Sequence, residues 1–316
     1  MKKTLVALSV LAAAGSAQAI ELYNQDKVTV NMTGDVEVRY VKGKADGSEL
    51  TQQINDADFG FDTRYQVNDD LQVGAYWEFS GTEDNKVSPA NTGDVYMALY
   101  SNTAGSIKFG KLATQIDDAG IGSDYIFGIS SFVSDADLSF EEAIRYDIDK
   151  GSVYGGLGFV QNKTEHFGDG IGKDARIFDA KLGGRVADFD ITGYYATIDL
   201  DTANDFKTDL FALELRYGGV ENLNIEAGYY YNKDKTNAGS TTDSTYGLAA
   251  DYTIEMWKVA AGVDYQDYDG DQDSQTNWFL NAGYALAPST TAYIEVGGDN
   301  AKDSELGYGI GLKAEF

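Results

Sequence analysis

Residues 28–40 alternate between two kinds of side chain. Val28, Val30, Met32, Gly34, Val36, Val38 and Tyr40 fall on one face, and Thr29, Asn31, Thr33, Asp35, Glu37 and Arg39 on the other. A period of two over that length predicts a β-strand with one oily and one polar face. The last segment repeats it, with Leu306, Tyr308, Ile310, Leu312, Ala314 and Phe316 set against Gly307, Gly309, Gly311, Lys313 and Glu315. Residues 57–67, 71–80, 211–217, 223–231 and 257–265 read the same way, and about sixteen such segments can be counted along the chain. The expected connections alternate in length. Short turns are predicted at 68–70, 149–151, 218–222 and 287–288, and longer polar stretches at 42–55, 82–92, 162–173, 233–243 and 267–276. That is the pattern of an up-and-down meander with tight turns on one rim and loops on the other. Tyr40, Trp77, Tyr217, Tyr231, Trp257, Tyr265 and Trp278 would form aromatic girdles near the strand ends.

Alternation of this kind also suits a soluble β-sandwich or a lipocalin-like barrel, whose apolar face points inward. Such a core would have to bury many Gly, Asp, Glu and Arg residues, and buried charge is costly unless paired. A water-filled lumen with the apolar face turned to lipid removes the conflict. The reading is therefore all-β, an antiparallel transmembrane β-barrel of about sixteen strands.

The first nineteen residues stand apart from this pattern. Lys2 and Lys3, the apolar run 5–14 and Ala17-Gln18-Ala19 have the order of a secretory signal peptide with its cleavage site. Residues 1–19 are thus expected to be a leader and residues 20–316 the barrel, exported through the periplasm. No later stretch offers the roughly 18 consecutive apolar residues that a spanning helix needs.

Composition narrows the function. With 51 Asp and Glu against 24 Lys and Arg, the chain repels phosphate backbones, so nucleic-acid binding is not expected. It has no Cys and a single His, which removes thiol nucleophiles, disulfides and zinc sites built on those ligands. No cofactor is expected. His166 lies in a polar, Gly-rich loop and reads as a solvated residue without the nucleophile and base that an outer-membrane hydrolase would need. Asp267, Asp269, Asp271 and Asp273 suggest calcium. The glycine of that run is at Gly270 and no glutamate closes it, so the EF-hand pattern fails, leaving at most weak divalent binding beside lipopolysaccharide.

The start Ile20-Glu21-Leu22-Tyr23-Asn24-Gln25-Asp26, the Gly34 strand, Phe59-Gly60-Phe61, Ile107-Lys108-Phe109-Gly110-Lys111 and the final Phe316 resemble, in order, landmarks of the trimeric general porins of Gram-negative outer membranes. The resemblance spans essentially the whole chain after the leader. It implies a sixteen-stranded barrel, a homotrimer, passive diffusion of small hydrophilic solutes, a third loop folded into the lumen, and a terminal aromatic, Phe316, read by the assembly machinery.

The third long connection is informative in its own right. Between Lys111 and Arg145 there is no basic residue, while Asp117, Asp118, Asp124, Asp135, Asp137, Glu141 and Glu142 all fall there. Its Ile126, Phe127, Ile129, Phe132 and Val133 need a surface to pack on. Folded against the inner wall, the loop would bury them and aim carboxylates at the pathway, as charged rings do in ion pores. Packing on a neighbouring subunit is the alternative.

In the family a basic wall faces this loop. Here Asp35 and Asp58 stand where enteric members carry Lys and Arg, whereas Lys111 retains the expected charge and Arg145 is a further candidate. The family's Pro-Glu-Phe-Gly-Gly element is absent. The wall is expected to include Asp35, Glu37, Arg39, Asp58, Asp62, Arg64, Glu78, Lys111 and Arg145, with Glu214, Glu226, Asp251 and Asp264 further round. Together with the loop acids this predicts a cation-favouring channel. A sugar-selective porin, with Tyr76, Tyr154, Tyr194 and Tyr230 stacking sugar rings, is the competing expectation.

Overall fold

The computed structural model describes residues 19–83, 86–132, 139–270 and 273–316, with residues 82, 83 and 86–90 described as backbone only. Strand follows strand as the alternation requires, and successive strands pair as antiparallel hairpins. They are β1 (Ile20–Gln25), β2 (Val28–Lys42), β3 (Thr51–Gln66), β4 (Leu71–Glu83), β5 (Lys86–Ser101), β6 (Gly105–Ala113), β7 (Ser139–Asp149), β8 (Val153–Gln161) and β9 (Arg176–Val186). There follow β10 (Phe189–Leu200), β11 (Phe206–Val220), β12 (Leu223–Thr236), β13 (Gly239–Ile254), β14 (Trp257–Tyr268), β15 (Gln275–Ala287), β16 (Thr290–Asp299) and β17 (Gly307–Glu315).

The sheet closes where β17 pairs with β2, from Tyr308 opposite Lys42 to Glu315 opposite Asp35. Phe316 then exchanges two backbone hydrogen bonds with Gly34, at 2.9 and 2.7 Å. Where β17 ends, β1 takes over the same edge of β2, starting at Ile20 opposite Met32. Seventeen strand segments thus make sixteen staves of a closed antiparallel barrel.

The apolar face points outward, which excludes the soluble alternative. Trp77, Leu213, Val263, Leu280 and Ile310 are exposed on the outer surface, while the alternating Glu214, Asp264, Asn281 and Glu295 are buried inside. Aromatic pairs mark the strand ends: Phe189 with Tyr217 and Trp257 with Tyr284 lie near the tight turns, with ring centroids 4.8 and 4.7 Å apart. The tight turns use residues in the left-handed region, such as Asn222 (φ 63°) and Ser289 (φ 54°).

Two expected loops are strands instead. Stretch 233–243 continues β12 and β13 to Thr236 opposite Gly239, and 82–92 is largely β4 and β5. Both faces are polar there, so the sequence loses its alternation although the backbone ladder goes on. For the same reason β3 begins at Thr51, inside the loop expected at 42–55.

Because the outer surface meets hydrocarbon, Leu280→Arg at the centre of β15 should destabilise the barrel by about 2–4 kcal/mol, while a lumenal substitution of equal charge costs less. Denaturant titration of the protein in lipid vesicles measures the difference, and equal effects on both faces would contradict this orientation.

Candidate functional site

The site is the lumen, and its shape is set by the connection between β6 and β7. This segment opens with a short 3-10 helix, Gln115–Asp118, then crosses the inside of the barrel against β9 to β17 and β2. Its apolar side chains land where the inner wall is small. Ile116 packs with Ala196 and Leu210, and Phe132 meets Tyr230 edge to face at 5.5 Å. Tyr125 stacks on Tyr293 at 4.1 Å. Phe127 fills the space over Gly297 and Gly307, where an added Cβ would lie 2.6 Å from its Cβ or its ring.

The polar half of the contact is made by wall carboxylates that accept from the loop's backbone. Ile116 N–H donates to Asp179 (2.9 Å), Gly120 N–H to Glu214 (2.6 Å), Gly122 N–H to Glu226 (2.6 Å) and Ser130 N–H to Asp264 (3.1 Å). Glu295 takes three donors, from the N–H groups of Tyr125, Ile126 and Phe127, at 2.7, 2.9 and 2.5 Å. Wall donors serve the loop's carbonyls in turn: Arg216 reaches Gly120 O (2.6 Å), Asn281 reaches Ser123 O (2.7 Å) and Arg39 reaches Tyr125 O (3.2 Å). Asp179, Glu214, Asp264 and Glu295 are at most 1% exposed. Carboxylates accepting backbone N–H groups form strong, charge-assisted bonds, so these acids hold the loop. Glu214, Glu226 and Asp264, expected along the water path, therefore lie beneath the loop. Asp251 joins them, accepting from the Ser123 hydroxyl at 3.4 Å.

The opposite wall stays open. Asp35 stands directly across from Asp58 in the β2–β3 ladder, and Asp35, Asp56 and Asp58 bring carboxylate oxygens within 4.8 Å of one another. Lys313 lies 3.8 Å from Asp35. Asp56 escapes the sequence reading because it falls between the expected loop and the alternation that starts at Ala57. With β3 running from Thr51, it takes the same face as Asp58. Next along, Glu78 accepts from Tyr76 (2.9 Å), Arg64 pairs with Asp62 (2.6 Å), and Tyr76 stacks on Tyr96 at 5.3 Å. Lys108 lies opposite Arg145 in the ladder, 5.4 Å over the Tyr96 ring.

The remaining expected residues divide. Asp118 pairs with Arg145 (2.6 Å) and with Lys181, and Asp117 is exposed on the short helix. Asp124 meets lumenal water yet is ringed by protein; that partial desolvation, followed by the charge of Glu295, pushes its carboxyl up to about 6. Glu37 is buried, accepting from Tyr293 and from Asn55 (3.1 Å). Val133, Asp135, Asp137 and Asp271 lie outside the described residues. Glu141 and Glu142 belong to β7 and not to the loop, and Glu142 accepts from Thr164 N–H (2.9 Å). Lys111 leaves the lumenal set. It shares the parity of Ile107 and Phe109 and stands opposite Val95, all three exposed on the outside, with its ammonium on Thr92 O at 2.8 Å. Lys108 is the basic residue of β6 that faces inward. His166 is not solvated: its side chain is 10% exposed and lies 3.5 Å from Glu142, with Phe167 across its ring at 4.8 Å. Of the four tyrosines expected to stack sugars, Tyr194 donates to Asp118 O (3.0 Å) and Tyr230 is buried under Phe132.

A closed antiparallel barrel with an oily exterior, a wet interior and an inward-folded loop defines a pore-forming outer-membrane protein. The chain belongs to the Gram-negative porin family, whose sequence profile matches residues 4–304. It is 29% identical over 337 residues to Porin-like protein H of Photobacterium profundum, and 26% identical over 357 residues to a Major outer membrane protein of Pasteurella multocida. Both matches cover the whole of each chain. Among solved structures, outer-membrane expressed OmpT of Vibrio cholerae superposes with a TM-score of 0.80 at 17% identity, over 94% of this chain and all of the other. The anion-selective porin of Comamonas acidovorans gives 0.77 at 16% identity, over 92% of this chain and all of the other. Family and fold point to a non-enzymatic channel for passive diffusion in the bacterial outer membrane.

Truncating Glu295 to Ala would orphan three backbone N–H groups, at a cost of about 3 kcal/mol or more. We expect a lower unfolding temperature and a noisier open-channel current, read by calorimetry and single-channel recording. A quiet channel of unchanged stability would mean that the loop is held by other contacts.

Proposed function

We propose that the protein is a cation-favouring diffusion channel for ions and small hydrophilic solutes. The observation that carries this reading is the acidic trio Asp35, Asp56 and Asp58 on the wall that the loop leaves open. Fold alone does not give the sign of selectivity, since an anion-selective porin shares it. The sign rests on side chains. On the open wall Arg64 and Arg145 are each paired with an adjacent carboxylate, at 2.6 and 2.9 Å, whereas of the trio Asp35 alone lies within ion-pair range of an ammonium among the described residues, that of Lys313 at 3.8 Å, which is nearer to Glu315 at 3.1 Å. Screening over about 8 Å at physiological salt leaves that field effective across a narrow lumen. The sugar-selective alternative has weaker support, because two of its four tyrosines are taken up by the loop.

The same proposal includes a homotrimer embedded in outer-membrane lipid and lipopolysaccharide; a trimer form is known for the Vibrio cholerae neighbour. It also takes residues 1–19 as a removed leader and Phe316, at the barrel seam beside Gly34, as the assembly signal.

Reversal potentials across planar bilayers under a salt gradient should show cation preference in the wild-type channel, reduced or inverted in Asp35→Lys/Asp58→Arg. Anion preference in the wild type would refute the proposal. The carboxyl of Asp124 loses charge as pH falls through about 6, above the usual carboxylate range near 4. Cation preference should therefore drop between about pH 7 and pH 5, and drop less across that window in Asp124→Asn. The same pH step surviving in that variant would place the titrating group elsewhere.

A further inference from the structure

We propose that glycine–tyrosine pairs on the open wall set the width of the channel, and so the cross-section of the solutes it admits; this deepens the channel reading and rests on it. A tyrosine pointing from the inner face of a strand toward the barrel axis would obstruct the lumen. On the open wall the rings lie down instead. Tyr76 covers Gly60 on the neighbouring strand, Tyr100 covers Gly74, and Tyr154 covers Gly183. All three glycines are buried beneath these rings.

The space over each glycine is already taken. An added Cβ would stand 2.7 Å from Tyr76 Cζ at Gly60 and 2.8 Å from Tyr100 Cε2 at Gly74, and would run into the Tyr154 ring at Gly183. Carbon atoms at such separations repel strongly, so the ring would have to lift. None of the three glycines has a positive φ, so the backbone does not ask for glycine there. Glycine inside a strand costs about 1 kcal/mol relative to alanine, and at these positions the flush ring is the compensation.

Each ring is also held by a second contact. The Tyr76 hydroxyl donates to Glu78 (2.9 Å) and lies 3.2 Å from Thr33 Oγ1. The Arg64 guanidinium sits 4.0 Å over the Tyr100 ring, and that of Arg185 4.2 Å over the Tyr154 ring. Where the loop covers the wall, the same device recurs with Tyr293 over Gly311, but there Tyr125 stacks on the ring. On the open wall, among the described residues, no loop residue stacks on the three rings; Tyr96 stacks on Tyr76, and Arg64 and Arg185 lie over Tyr100 and Tyr154.

The test is a double-mutant cycle read by single-channel conductance in planar bilayers and by liposome swelling with neutral sugars of graded size. Gly60→Ala should lift Tyr76 toward the axis and lower conductance by roughly a third, slowing larger sugars more than small ones. In a Tyr76→Ala background the same Gly60→Ala change should have no effect. Wild-type conductance and sugar profile in Gly60→Ala, or an equal fall with and without Tyr76, would overturn the proposal. Should Gly60→Ala fail to fold, the cycle of Gly74→Ala with Tyr100→Ala makes the same measurement. Wild-type protein in the same bilayers separates the two levels: a silent wild type overturns the channel reading and this inference together, whereas a conducting wild type with unaltered glycine variants overturns this inference alone.

Discussion

A backbone N–H or C=O in hydrocarbon has no water to bond, so every such group must be paired within the protein. That constraint accounts for the ring of ladders from β2 round to β17 and for its seam. The seam is closed by pieces far apart in sequence: β17 pairs one half of β2, β1 pairs the other, and Phe316 and Gly34 bond where they meet. With no free edge, the outward side chains need only be oily, which is what Trp77, Leu280 and Ile310 supply.

A sixteen-stranded ring is too wide for its own side chains to fill. The space admits water, and with it a long loop whose backbone would otherwise lose its partners against the wall. Buried carboxylates meet that need. Glu295 gathers three consecutive N–H groups, and Asp179, Glu214, Glu226 and Asp264 take one each. Glycines beneath Phe127 provide the matching relief for the loop's apolar side. One half of the lumen thus becomes a packed interface, and the solute path is pressed toward β2 to β8. There lie the acids of β2 and β3 and the flattened tyrosines of β4, β5 and β8, two of them capped by Arg64 and Arg185.

This division explains which residues could be recognised from the sequence and which could not. Asp35, Asp58, Asp62, Arg64 and Glu78 face inward as their alternation implies, because in a regular strand a residue's face depends on parity alone. Lys111 obeys parity too: resemblance to the family puts it on the lumenal wall, whereas its place two residues from Phe109 turns it outward and leaves Lys108 as the inward cation of β6. Glu214 and Asp264 have the inward parity but do not line the path, because a segment 94 and 134 residues away in sequence lies over them. His166, polar in its local context, is enclosed by Phe167 and Glu142, which the local pattern does not bring to it.

The chain's own order of side chains was enough to determine strand, face, approximate strand number and the acidity of the third loop, for these depend on neighbours one or two positions away. Tertiary structure alone decided which carboxylates bind backbone and which meet solvent, where the wall stays bare, and which glycines lie under rings. Those outcomes depend on groups brought together across the barrel, and no local period carries that distance.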